Sequence, residues 1–207
     1  MMKIRYYRAV FVLATLMVLS TVFTGCAGTS QPSKFFLLRS LPEPGTGLSV
    51  KAQKRSLSIL VGPITIPAYL DRDQVVTLSE GNELVVDEFV RWAEPLKDNF
   101  YRVLVENMSL LLNTPEVYAF DRRGSRPGDF QITIDVTRFD SATGGEAHLT
   151  VFWTIAGKDR TSLPVKRKSV FRSSSSWQGL KGKVDAQNRT LTQFSREIAK
   201  AIRATAQ

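Results

Sequence analysis

The chain has 207 residues, 43% hydrophobic and 23% charged, with twelve phenylalanines. That is enough apolar mass for one ordinary domain, and it excludes a wholly disordered chain, which could not offset the entropy cost of ordering. The formal charge is +9; discounting Lys3, Arg5 and Arg8 of an N-terminal segment expected to be removed leaves 25 basic against 19 acidic residues, or +6.

The first eight residues, MMKIRYYR, carry three positive charges and no acid, and the fifteen that follow, AVFVLATLMVLSTVF, carry no charge. A spanning helix needs ~20 apolar residues, so the layout reads as the basic and apolar regions of a secretory signal peptide. It ends in VFTGC, with small Thr24 and Gly25 before Cys26, the only cysteine. An unpaired thiol in an exported protein calls for a role, and VFTGC resembles a bacterial lipobox, in which the cysteine becomes the first mature residue and carries acyl chains, palmitate among them. Phe23 stands where an aliphatic residue is usual and bears on the efficiency of cleavage. Several chains at roughly 0.8 kcal/mol per buried methylene make such an anchor effectively permanent. In bacterial lipoproteins an aspartate directly after the cysteine favours the inner membrane; Ala27 fits the outer-membrane default. The expected organisation is a lipoprotein signal peptide over residues 1–25, a lipidated flexible tether over 26–33, and one domain over 34–207.

Within that domain FFLLR reads as a first strand, followed by the loop SLPEPGTG. SLSILVGPITI is a second strand that Pro63 and Pro67 confine to a sheet edge or interrupt with a bulge. QVVTLSEGNELVVDEF reads as a hairpin turning at Gly81-Asn82. RWAEPLKDNFYRVLVENMSLLLN is the strongest helix, with Pro95 in a first-turn position, Leu96, Phe100, Val103, Leu104, Met108 and Leu111 on one face, and Asn113 and Pro115 as the stop. Arg102 and Glu106 form an exposed i,i+4 pair. QITIDVTRF and AHLTVFWTI alternate with period two, joined by SATGGE, and LPVKRKSVFR extends the meander. NRTLTQFSREIAKAIRATA closes the chain as a second amphipathic helix through Leu191, Phe194, Ile198 and Ile202. The expected class is α+β, a single domain with a mostly antiparallel or mixed sheet and two main amphipathic helices on one face.

Catalytic equipment is thin. The single histidine, His148, falls on the polar face of its strand and reads as a surface or satisfied side chain. One histidine and one lipidated cysteine cannot supply a tetrahedral zinc set, and no G-x-S-x-G nucleophile motif or phosphate-binding P-loop occurs. Asp71 and Asp73 flank Arg72 in TIPAYLDRDQVV; as an acid/base pair they would need a pocket that drives their pKa values apart, and with Arg72 between them in solvent both stay ionised. The basic clusters DRRGSR and VKRKSVFR read as solvated loops and strand edges that discourage edge pairing, or as contacts for anionic lipid or an acidic partner. Trp153 reads as core, SSSS (173–176) as a flexible loop, and Trp177 as a partner anchor or a lid.

In order, FFLLRSLP, VGPITIPAYLDRDQVVT and ELVVDEFVRWAEPLKDNFYRVLVENMSLLL resemble the auxiliary lipoproteins of the paraquat-inducible protein C (PqiC/YmbA) type, over most of the chain after Phe35. The sharpest elements are Ile66-Pro67, Tyr69-Leu70-Asp71-Arg72, Gln74-Val75-Val76 and Arg91-Trp92-Ala93-Glu94-Pro95-Leu96. Asp73 departs from the proline that relatives often carry, which loosens the local backbone. The resemblance implies a non-catalytic outer-membrane lipoprotein, on the periplasmic face, that serves an intermembrane lipid transport system of mammalian-cell-entry (MCE) domain proteins associated with an ABC-type transporter. It implies no cofactor beyond the acyl chains on Cys26. Its partners would be a periplasm-spanning MCE protein, that protein's inner-membrane partner, the outer membrane and other copies of itself in a cyclic assembly, with no nucleic acid. Tyr69, Leu70, Asp71, Arg72, Gln74, Arg91, Trp92, Glu94 and Pro95 are then expected to form a turn or meet a partner. The rival readings are an envelope lipoprotein that binds peptidoglycan or scaffolds another complex, and a periplasmic hydrolase using Asp71 and Asp73.

Overall fold

A single long strand organises the sheet in the computed structural model, which describes residues 7–8, 11–15, 31–42, 57–79, 83–121, 128–158 and 164–206. The period-two run around Ile132, Ile134 and Val136 forms β6 (Phe130–Ala142). One of its edges pairs antiparallel with β7 (Ala147–Gly157), from Phe130↔Gly157 to Ser141↔Ala147, and β7 pairs antiparallel with β8 (Val165–Ser173). Two strands share the other edge. β2 (Ile59–Thr65) runs parallel to Phe130–Asp135, and β3 (Gln74–Leu78) rejoins β6 in parallel at Ser141 and Ala142. β2 continues in parallel to the short β5 (Val117–Ala119); β3 continues antiparallel to β4 (Leu84–Trp92), which pairs in parallel with β1 (Lys34–Phe36). The eight-stranded sheet is therefore mixed.

Helices α1 (Leu96–Leu112) and α2 (Gly179–Thr205) pack against each other, α1 over β2 and β5 and α2 over β6, β7 and β8. Alternation puts Ile132, Ile134, Val136, Leu149, Val151, Trp153 and Ile155 on the covered face, under Phe100 and Leu104 of α1 and Phe194, Ile198 and Ile202 of α2, all buried. Phe100 meets Phe139 edge-on at 5.5 Å, and Trp153 meets Phe194 at 6.2 Å. Each such side chain contributes roughly 1.5 to 3 kcal/mol through removal from water. Trp153 also donates its indole N–H to Ser169 Oγ at 3.0 Å, which satisfies its one polar atom. Asn113 ends α1 in the left-handed region (φ 54°), as its short polar side chain permits.

Several boundaries differ from expectation, each for a physical reason. The strand in FFLLR stops at Phe36, because the following peptide groups bond to helix side chains, described below. Arg91 and Trp92 belong to β4, where Trp92 N–H donates to the Asp73 carbonyl at 2.7 Å; α1 starts only at Leu96, with Pro95 as its N-cap. Pro63 lies inside the sheet, since β2 has a neighbour on each side, and the strand accommodates it with a bulge between Val61 and Ile64. Gly62 takes φ 111° there; its carbonyl accepts Gln131 Nε2 at 3.0 Å, while Ile64 N–H donates to the Tyr101 hydroxyl at 3.0 Å. α2 begins at Gly179, nine residues before the expected start at Asn188, because Val184, Ala186 and Gln187 are buried. The 173–176 segment is tied down: Ser175 Oγ donates to Asp185 at 2.6 Å and accepts Trp177 N–H. The Gly81-Asn82 turn, most of DRRGSR and the SLPEPGTG loop beyond residue 42 lie outside the described residues. Residues 1–32 form a unit of their own, in which 7–8 and 11–15 are helical.

Candidate functional site

The stretch from Ile66 to Asp73 is the chain's passage between two places on the same strand edge. β2 leaves β6 at Asp135 and β3 rejoins it at Ser141, so among the described residues the intervening edge of β6 has no strand beside it. The passage is closed by its own backbone: Leu70 N–H to Pro67 O at 2.9 Å, Asp71 N–H to Ala68 O at 3.2 Å and Arg72 N–H to Leu70 O at 2.9 Å. Leu70 is buried and plugs the turn into the core. Tyr69 takes the place of the missing strand; its hydroxyl accepts the Phe139 backbone N–H and donates to the Asp140 carboxylate.

Asp140 is buried, and Arg138 grips it with Nε at 2.9 Å and 3.1 Å and Nη2 at 2.9 Å. Burial, followed by the adjacent Asp140 charge, pushes the Tyr69 phenol above its ordinary 10.0. The hydrogen bonds to Asp140 raise Arg138 further. Opposite Asp140, His148 on β7 lies 2.8 Å from Glu146 through Nε2. A phenol held neutral and a guanidinium held charged at neutral pH fix the strand edge and its electrostatics.

The stretches around Asp71–Gln74 and Arg91–Pro95 lie side by side. Gln74 stands opposite Arg91 in the β3–β4 register, and the Asp73 carbonyl accepts Trp92 N–H. Glu88 ties them further, accepting Gln74 Nε2 at 2.9 Å and lying 3.7 Å from Arg91 Nη2. Trp92 is buried in the core, whereas Asp71, Arg72 and Asp73 are exposed; among the described residues their side chains make no hydrogen bond or ion pair. Glu94 accepts Arg102 at 2.7 Å, and the same guanidinium reaches Glu106 at 3.3 Å, closing a surface network over the first turns of α1 behind Pro95. The result is a polar surface on a rigid backing, with exposed Asp71, Arg72 and Asp73 at its rim.

Sequence reasoning missed the clamp on the segment after β1. Leu38 N–H donates to Asn99 Oδ1 at 2.6 Å and Asn99 Nδ2 donates back to Leu38 O at 3.2 Å. Arg39 N–H donates to Asn188 Oδ1 at 2.8 Å, and Leu41 N–H donates to Asn107 Oδ1 at 2.7 Å. Asn107 Nδ2 in turn donates to Ser195 Oγ at 2.9 Å, joining α1 to α2. The segment after β1 is thus held by both helices. The signal was present: Asn99 and Asn107 sit among the apolar positions of α1 and are fully buried, and buried amides are retained when they satisfy backbone groups.

Cys26 lies outside the described residues. Among the described residues there is no group of three metal-ligating side chains, and no helix is long and apolar enough to cross a membrane.

A family described as ABC-type transport auxiliary lipoprotein component matches residues 40–199. No curated protein matches significantly. Among solved structures, one described as an uncharacterized protein superposes with a TM-score of 0.65 at 19% identity, covering 83% of this chain and 99% of that one. A Xanthomonas campestris protein of the DUF330 family superposes with a TM-score of 0.59 at 19% identity, covering 81% and 93%. At that identity the likeness shows a shared fold.

Proposed function

Because the chain belongs to the ABC-type transport auxiliary lipoprotein component family, we propose that it is an outer-membrane lipoprotein, anchored by acyl chains on Cys26, that docks onto a periplasm-spanning MCE protein of an intermembrane lipid transport system. The proposed role is mechanical and electrostatic, with energy supplied by partner subunits. The observation that carries this reading is the union of the Tyr69–Gln74 turn and the Arg91–Pro95 stretch into one exposed polar surface, backed by the Tyr69–Asp140–Arg138 network. Such a surface is preorganised, so a partner loses little entropy in fixing it. Exposed Asp71, Arg72 and Asp73 supply contacts of both signs without an enclosed reaction site. The Asn99 and Asn107 clamps bind the segment after the tether to the helices, so force on the anchor reaches the body. A cyclic homo-oligomer would present several such surfaces to a symmetric partner.

The test is recovery of the full chain from detergent-solubilised envelope, with mass spectrometry of co-purifying proteins and lipid. An MCE protein is expected with the wild type and is expected to be lost when Asp71 and Arg72 are both alanine. Recovery without any MCE protein would overturn the docking role. Cys26→Ser is expected to abolish labelling by a fatty-acid probe; unchanged labelling would overturn the anchor.

A further inference from the structure

The strand ends on one side of the molecule form a row of registered residues. Leu78 of β3 stands beside Leu84 of β4 and Ala142 of β6, and Ser141, Ala147 and Ser173 carry the row across β7 to β8. At about 4.8 Å per strand, the row from β4 to β8 is roughly 19 Å wide. Apolar surface is exposed at both of its corners. Leu84 and Val85 are each 42% exposed at one, and Trp177, in the connection from β8 to α2, is 56% exposed at the other. Trp92 and Trp153 are buried, which sets Trp177 apart from the other tryptophans of the chain.

The Trp177 corner is fixed and basic. Trp177 N–H donates to Ser175 Oγ at 3.1 Å, Ser175 in turn donates to Asp185, and the Trp177 carbonyl packs on Gly182 so closely that no Cβ would fit there. The main chain is thus held while the indole faces water. Lys181 Nζ stands 3.7 Å over the ring, with Lys183 and Arg172 nearby in the chain. Among the described residues none of these three bases is ion-paired, whereas Asp185, the one acid of 172–189, is taken by Ser175 and by Arg189 at 3.0 Å. Burial pulls Lys183 below its ordinary 10.5. An indole capped by an ammonium, apolar in its body and polar at its rim, suits the boundary between acyl chains and phospholipid headgroups.

The chain from the tether arrives from the same side. β1 runs parallel to β4, so the chain enters it from the side on which β4 starts. Phe35 lies beside Arg91, and Arg91 stands opposite Gln74, which is about 13 Å along β3 from Leu78. From Cys26 to Lys34 the extended chain reaches at most about 28 Å, enough to bring this row of strand ends down to a membrane that holds Cys26. We infer that these strand ends lie on that membrane, with the Trp177 indole at headgroup level, Lys181 and Lys183 on phospholipid phosphates, and Leu84 and Val85 as a second point of contact. The inference rests on the anchored reading above and gives the anchored domain an orientation. Bases without a paired acid are complementary to an anionic lipid surface. Two separated contacts and a tether together fix a plane, which a flexible tether alone does not.

The experiment reconstitutes the acylated protein in vesicles of phosphatidylethanolamine and phosphatidylglycerol whose acyl chains carry bromine near the glycerol end. Flotation reads the anchor and tryptophan emission reads the contact, with folding of each variant checked by circular dichroism. Bromine is expected to quench up to about a third of the emission, the share of one tryptophan at headgroup level beside two in the core. Trp177→Phe, which alters only an exposed ring, is expected to abolish the bromine-dependent loss. Lys181→Glu with Lys183→Glu is expected to reduce it at least about twofold, and more as the share of phosphatidylglycerol rises. Wild-type protein that floats without being quenched overturns the inference and leaves the anchor standing. Quenching that persists in Trp177→Phe, or that the paired lysine changes leave untouched, also overturns it. So does shielding of Trp177 from aqueous iodide by a co-purifying protein with no quenching by bromine, which assigns the corner to that protein. A chain whose Cys26 takes no fatty-acid label but whose Trp177 is still quenched leaves the contact standing and removes the anchor instead.

Discussion

Asn99 holds both backbone groups of Leu38, accepting its N–H at 2.6 Å and donating to its carbonyl at 3.2 Å, from a side chain with no exposure to solvent. Replacement by alanine strands two buried backbone groups. At ~1 to 3 kcal/mol for each group left unsatisfied, Asn99→Ala is expected to cost roughly 2 to 4 kcal/mol of unfolding free energy. Asn188→Ala, at a solvent-exposed bond, is expected to cost less than about 1 kcal/mol, since water replaces the lost partner. Urea unfolding midpoints of the two variants check the ordering.

Tyr69 makes alkaline stability informative. Its phenol sits above the ordinary 10.0 in the folded chain because of burial and then the Asp140 charge. Above pH 10 the unfolded chain loses this proton before the folded one does. Tyr69 therefore contributes fully below that pH, and the contribution is lost as pH rises through the folded value. Tyr69→Phe, which also leaves the Phe139 N–H without its acceptor, is expected to cost about 1 to 2 kcal/mol near pH 8. Its unfolding midpoint is expected to fall less steeply than the wild type's from about pH 10 upward.

Gly62 cannot be replaced cheaply. Its φ of 111° is outside the range L side chains favour, and an added Cβ would lie 2.1 Å from the Tyr101 hydroxyl. Gly62→Ala is expected to lose at least about 2 to 3 kcal/mol from backbone strain and the displaced Tyr101 together. Adding Tyr101→Phe relieves the clash with the oxygen but leaves the strained φ and the unpaired Ile64 N–H, so the double variant is expected to remain well below wild type in thermal melts.

Asp71 and Arg72 separate stability from binding. The turn that carries them is closed by backbone bonds and by buried Leu70. Alanine at both positions is expected to move the unfolding free energy by no more than about 0.5 kcal/mol, as for other surface changes. A larger loss, measured by chemical denaturation, would mean that these side chains hold the turn and would blunt their use as a probe of docking.

The elements were legible where side-chain periodicity alone decides them. Ile132, Ile134 and Val136 announce β6, Leu149 to Ile155 announce β7, and the spacing from Leu96 to Met108 announces α1, because one face of each had to be buried. Asn113 was legible as a cap for a local reason, its tolerance of the left-handed region. The start of α2 was not, because Gly179 and Gly182 argue locally against helix, and only the burial of Val184, Ala186 and Gln187 against the body overrides them. The short strand β5 escaped notice because three residues carry no measurable period; it exists because β2 offers an edge. Of the site, the residues of TIPAYLDRDQ and RWAEP stood out in sequence, but Arg138 and Asp140, which brace Tyr69, lie in a strand whose alternation gave them no distinction.

The sequence by itself determined the apolar faces of β6, β7 and α1, the α+β class and the pairing of β3 with β4, since each follows from which neighbouring residues can leave water together. Tertiary structure decided what lies beside what. Two parallel strands share one edge of β6, the passage between them puts Tyr69 on Asp140, and the segment after β1 rests on asparagines 61 and 66 positions further along the chain. Those contacts depend on register and packing between distant segments, which no local periodicity encodes. For that reason the Asp-Arg-Asp triplet could be read in sequence as chemistry, while its place at the rim of an open, braced turn was settled only by the fold.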